Sequence, residues 1–190
     1  MQSPTLAEAV RESIATKERF LTECLDQVEA LCDLATATVR AGGTLFFCGN
    51  GGSSCDAAHA AGELVGWFED KARGPIAAVA LGHEVPALTA IGNDAGFEQV
   101  FARQITALGR PGDLLVGIST SGGSRNVVRA LEAAKERDLR TAALASARGG
   151  PVVELADVAV RVPSTSTPRI QESHLLTVHL LCAELERRLA

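Results

Sequence analysis

Five short apolar runs, TLFFC at 44–48, IAAVA at 76–80, DLLVGI at 113–118, RTAALA at 140–145 and VAVRV at 158–162, constrain this chain more than any other feature. Longer segments with helical periodicity separate them, and that rhythm predicts a parallel sheet with helical crossovers. The runs show little in/out alternation, as expected of strands covered by helices on both faces. A length of 190 residues fits one such α/β unit, read as a single domain over residues 1–190.

The first 40 residues are predicted to be helical. Ser3 or Thr5 can cap the start, and Leu6, Val10, Ile14, Leu21, Leu25, Val28, Leu31 and Leu34 recur at helical spacing until Gly42 and Gly43 stop it. A break is expected near Lys17 to Phe20. The segment either packs its surplus apolar face against another subunit or forms two ordinary helices covering the sheet. At the other end, Pro168 to about Leu189 reads as a closing helix, with Pro in its first turn.

Composition narrows the function classes. Eighteen Lys and Arg against 23 Asp and Glu give a net charge of −5 without a basic stripe, so nucleic acid is not an expected partner. No window approaches the roughly 18 apolar residues of a membrane span. Cys24, Cys32, Cys48, Cys55 and Cys182 are odd in number and form no C-x-x-C pair, which suits a reducing cytoplasm and argues against a disulfide framework.

Two strand–loop–helix junctions carry chemistry. GNGGSS at 49–54 supplies glycines for a tight turn and exposed amides at a helix start, where an anion can bind. STSGGS at 119–124 supplies the hydroxyls of Ser119, Thr120, Ser121 and Ser124. Neither is a Walker A loop or a dinucleotide fingerprint. Either alone can be an ordinary turn and helix start; both together lie at the carboxyl ends of parallel strands, where they can converge on one small phosphorylated molecule.

His59 and Glu63 stand four residues apart on one helix face, a spacing that suits either a metal such as zinc or a plain surface pair. On the last helix, Gln171 and His179 are about 12 Å apart along the axis and roughly 80° around it. They share a broad face rather than a line. A His in so apolar a helix is often buried and satisfied instead of ligating.

Taken in order, GNGGSSCDAAHAAGELVG (49–66), LTAIGNDAGFEQVFARQ (88–104), GRPGDLLVGISTSGGS (109–124) and RIQESHLLTVH (169–179) resemble the sugar isomerase domain family, in its phosphoheptose isomerase branch. The resemblance implies a three-layer αβα sandwich, flavodoxin-like, with a five-stranded parallel sheet. The implied activity interconverts sedoheptulose 7-phosphate and D-glycero-D-manno-heptose 7-phosphate. Position by position, Asn50, Gly51, Gly52, Asn93 and Asp94 are implied substrate contacts, and Ser119, Thr120, Ser121 and Ser124 the phosphate holders. His59, Glu63, Gln171 and His179 match the family's zinc ligands, Glu63 and Gln171 also facing substrate, and Glu63 with His179 its acid/base pair. Homotetramers with sites at subunit interfaces are implied as well, which would account for the long N-terminal segment and for how Gln171 and His179 reach the other ligands.

The chain departs from the family pattern at Trp67, where an Arg is usual after the ELxG segment, and at Gly123, where Asn is usual. His83 lies in a divergent segment and reads as a surface residue. Two rival readings use the same fold: a non-catalytic interaction protein like the replication-initiator-associating proteins, and a phosphosugar sensor. The intact set of His59, Glu63, Gln171 and His179 favours the enzyme, and an acidic chain with no DNA-binding segment disfavours the sensor.

Overall fold

The computed structural model describes residues 4–190. Five strands, β1 (Leu45–Gly49), β2 (Ala78–Ala80), β3 (Leu114–Ser119), β4 (Arg140–Ser146) and β5 (Val158–Val162), pair in parallel in the order β2-β1-β3-β4-β5. The predicted runs fall on the observed strands with ends shifted by one or two residues. β2 is the shortest, since Ile76 and Ala77 precede its pairing.

The helices are α1 (Leu6–Glu23), α2 (Leu25–Arg40), α3 (Gly52–Val65), α4 (Val85–Asp94), α5 (Ala102–Leu108), α6 (Arg125–Glu136), α7 (Pro151–Leu155) and α8 (Thr167–Leu189). Two cores form on opposite sheet faces. Leu45 and Phe47 of β1 point to one, with α2, α3 and α8; Phe46 and Cys48 point to the other, with α5, α6 and α7. This is the expected three-layer αβα sandwich, and burial on both faces explains the missing alternation. Gly117 lets α6 come close, since a Cβ there would sit 2.8 Å from Val127 Cγ1.

Thr5 caps α1 in a capping box with Glu8. Ser3, the other predicted cap, lies outside the described residues. The N-terminal helical segment breaks at Cys24, four residues beyond the expected interval, where the thiol donates to the Arg161 carbonyl at 3.4 Å. No Gly or Pro stands at the break; Cys24 is instead buried against β5 through this contact. α2 covers the sheet, whereas Leu6, Val10 and Ile14 of α1 remain exposed.

Strand order reverses between β1 and β3, with β2 on one side of β1 and β3 to β5 on the other. In doubly wound sheets the crevice at that switch point, beyond the strands' carboxyl ends, is where ligands bind. The loops after β1 and β3 occupy it.

Candidate active site

The loop after β1 turns at Gly51, whose φ of 57° and ψ of −122° are accessible to Gly and costly for other residues. Ser53 N–H donates to the Asn50 carbonyl and Ser54 N–H to that of Gly51, folding the loop into the first turn of α3. The loop after β3 turns at Gly122, φ +71°, whose N–H donates to the Ser119 carbonyl. Ser124 stands at the N-cap of α6 but makes no capping bond; its Oγ lies 2.9 Å from Ser119 Oγ, which is also 3.4 Å from Ser121 Oγ. The hydroxyls are thus gathered with one another, and the ordinary helix-cap reading does not hold for Ser124. Thr120, half-buried, completes the loop.

A reciprocal pair of amide hydrogen bonds, each 2.8 Å, joins Asn50 to Asn126 and so ties the two loops together. Asn126 is almost fully buried and was not singled out from the sequence. Its partner stands 76 positions away, and only the fold makes the pairing visible.

The second half of the site comes from α3 and α8, which pack against each other. His59 Nε2 lies 3.3 Å from Glu63 Oε1 and 3.2 Å from His179 Nε2. The two imidazoles are tilted by 53° with centroids 5.1 Å apart, and Phe68 stands 5.6 Å from the His179 ring. Gln171 lies over the first loop: a Cβ on Gly52 would sit 2.5 Å from its Nε2. One chain is enough to bring His179 beside His59, so that contact does not require the second subunit that the resemblance implied. The same helix carries Gln171 to Gly52 of the first loop.

Not every predicted residue joins this cluster. Asn93 and Asp94, at the exposed end of α4, hydrogen-bond to each other at 2.6 Å and, among the described residues, to no part of either loop through their side chains. His83 is exposed, as expected, yet it is not idle: Nε2 lies 3.1 Å from Ser54 Oγ and 3.2 Å from the Ser54 carbonyl. Because that carbonyl only accepts, Nε2 carries the proton in this contact. Trp67 is exposed on the loop after α3, with Lys71 over its ring.

The chemistry of the donor set fits a borderline cation. Ligands on one tetrahedral zinc, with bonds of about 2.0–2.1 Å, are roughly 3.3 Å apart, close to the His59–His179 and His59–Glu63 spacings. Among the described residues no group of three or more His, Cys, Asp or Glu side chains forms a ready-made metal cluster. The pairs have the right spacing, with His59 at their hub.

Comparison with known proteins places this geometry. Residues 10–146 match the SIS domain family. The phosphoheptose isomerase of Rhodospirillum rubrum is 48% identical over 166 residues, covering 87% of this chain and 88% of that protein. The chain belongs to the SIS domain family, among the phosphoheptose isomerases. Solved structures of that family superpose closely: the Neisseria gonorrhoeae enzyme has a TM-score of 0.90 at 42% identity, covering 96% of this chain and 97% of that one. The Francisella tularensis enzyme has a TM-score of 0.93 at 33% identity, covering 96% of each. The sandwich and five-stranded sheet are therefore those of phosphoheptose isomerases, as the four sequence motifs implied.

Proposed function

We propose that this protein isomerises sedoheptulose 7-phosphate to D-glycero-D-manno-heptose 7-phosphate by proton transfer through an enediolate, the first step toward a nucleotide-activated heptose. The observation that carries the reading is the meeting of His59 and Glu63 on α3 with His179 on α8, beside two phosphate-type loops bound by Asn50 and Asn126. Relatives named phosphoheptose isomerase over most of the chain support it.

In this reading Ser119, Thr120, Ser121 and Ser124 hold the phosphate by hydrogen bonds from neutral hydroxyls. Asn50, Gly51 and Gly52 contact the sugar, joined by Gln171 over Gly52. Asn93 and Asp94, whose side chains stand apart from both loops, are assigned to the substrate by the resemblance alone. The Glu63 carboxylate takes a proton from C1 of the ketose, the electrons form the C1–C2 double bond, and the same carboxyl returns a proton to C2. His179 moves the proton between the two oxygens. Stabilising the negative oxygen of the enediolate is the costly part of the step. His59, Glu63, Gln171 and His179 are the residues that would hold zinc, one ion per chain, which when bound supplies Lewis acidity to the sugar carbonyl.

The protein acts in the cytoplasm as a homo-oligomer, in this reading a tetramer. The exposed apolar side chains of Leu6, Val10 and Ile14 on α1 support the assembly. Among the described residues no helix is long and apolar enough to cross a membrane.

The test is Glu63→Gln. The variant is expected to fold, to bind the sugar phosphate with affinity near that of the unaltered protein, and to lose turnover by at least about 100-fold. Turnover near the original rate would remove Glu63 from the chemistry. The alternative, a non-catalytic interaction protein, is indicated instead if the unaltered chain binds the sugar phosphate and turns none of it over.

A further inference from the structure

Arg73 and Glu186 have side chains only 6% and 9% exposed and lie outside the set that would touch substrate. All five Arg73 donors are used. Nε donates to Glu186 Oε1 at 3.0 Å, Nη1 to the carbonyls of Leu64 and Gly74, and Nη2 to those of Glu63 and Gly66. Three of those four carbonyls belong to the C-terminal end of α3, which otherwise lack intrahelical partners. Glu186 in turn accepts the backbone N–H groups of Phe68, Glu69 and Asp70 at 2.9–3.1 Å.

The placement of the pair ties it to the site. Arg73 grips the main chain of Glu63 itself. Glu186 lies seven positions beyond His179 on α8, about 10 Å along the axis and on nearly the same face. It also fixes the backbone of Phe68, whose ring packs beside His179. A buried pair adds little net stability over apolar side chains of similar size. What this one does define is the distance and orientation of two helices.

We propose that Arg73 and Glu186 are positioning residues for the isomerisation, setting the spacing of His59 and Glu63 on α3 from His179 on α8. The inference rests on the reading that Glu63 and His179 move the protons. Displacements of about 1 Å at such a site cost on the order of 100-fold in rate, and loss of a partner behind a working side chain typically costs about 10- to 100-fold.

The experiment is Glu186→Gln, which keeps the size and removes the charge, with turnover and the imidazole ¹⁵N resonances as readouts. Only four histidines contribute signals. The expected result is a folded protein with kcat reduced about 10- to 100-fold and KM within about twofold. The His59 and His179 resonances should move while those of His83 and His174 stay. Arg73→Lys, which keeps the charge without the planar fork, should reproduce the pattern and serves if the first variant does not fold. A folded variant with normal kcat and unmoved His59 and His179 resonances overturns the proposal, even if its thermal stability falls. Failure of both variants to fold also overturns it, since the pair would then hold the fold and not the site. No turnover by the unaltered protein refutes the isomerase reading separately, because the histidine resonances still report whether the pair sets the helix spacing.

Discussion

Two glycines at the site respond to the same substitution in opposite ways. In Gly122→Ala the new Cβ falls 1.6 Å from the Gly149 carbonyl oxygen, a backbone atom, at a φ of +71° that only Gly adopts freely. We expect a loss of about 3 kcal/mol or more in stability, measured by urea unfolding. In Gly52→Ala the nearest atom is the Gln171 amide, the movable end of a side chain. That variant should unfold within about 1 kcal/mol of the original and yet lose about tenfold or more in turnover, since Gln171 is pushed off the first loop. Equal stability losses in the two would contradict this account of the loops. At this scale the sequence was read well where chemistry is local: His59 with Glu63 at helical spacing, and four hydroxyls in one loop. It was read poorly where partners are distant, as with Asn50–Asn126 and Arg73–Glu186, because nothing in a local pattern ties a residue to one about a hundred positions away.

At the scale of elements, α8 carries most of the acid sensitivity. His174 is fully buried, its Nε2–H donating to the Ala145 carbonyl, and burial pushes its imidazole down to about 4 against the effect of that hydrogen bond. Between pH 6.5 and 4 the unfolded chain takes up this proton and the folded chain does not, so stability falls as pH falls, by about 3 kcal/mol across the window. Burial would raise the Glu186 carboxyl, but the Asp70 N–H, the Arg73 guanidinium and the N–H groups of Glu69 and Phe68 outweigh it and hold it at about 2. A depressed carboxyl stabilises the fold above its unfolded value and loses that contribution as pH drops from about 4.5 toward 2. Urea midpoints measured from pH 7 to 3 should therefore decline in two overlapping phases. His174→Gln should flatten the upper one and Glu186→Gln the lower; a decline unchanged by either substitution would contradict both assignments. The five strands, the N-terminal helical segment and the closing helix were legible from periodicity to within a few residues, whereas the short helices α4, α5 and α7 were not singled out. The break falls at Cys24, beyond the expected interval, where no Gly or Pro marks it in the sequence and the contact with Arg161 is one that periodicity does not encode.

At the scale of the molecule, parallel strands and three layers followed from the run pattern, whereas the order β2-β1-β3-β4-β5 emerges only from packing. That order is what sets the two loops side by side. Likewise, spacing along α8 does not say which subunit supplies His179, and only the α3–α8 crossing shows that one chain brings it to His59. Assembly is instead expected on α1, where Val10 is 60% and Ile14 54% exposed. Replacing both by Asp should shift sedimentation from the oligomer to a smaller species that keeps the fold, and an unchanged sedimentation coefficient would move the interface elsewhere. The most direct test of the central claim is turnover of sedoheptulose 7-phosphate in deuterated water by metal-stripped and zinc-supplemented protein in parallel. The account predicts an aldoheptose 7-phosphate, formed faster with zinc, with deuterium entering C2 to the extent that the proton held on Glu63 exchanges with solvent. Product formed equally fast in the two samples would contradict the zinc assignment, and no product in either sample would contradict the isomerase itself.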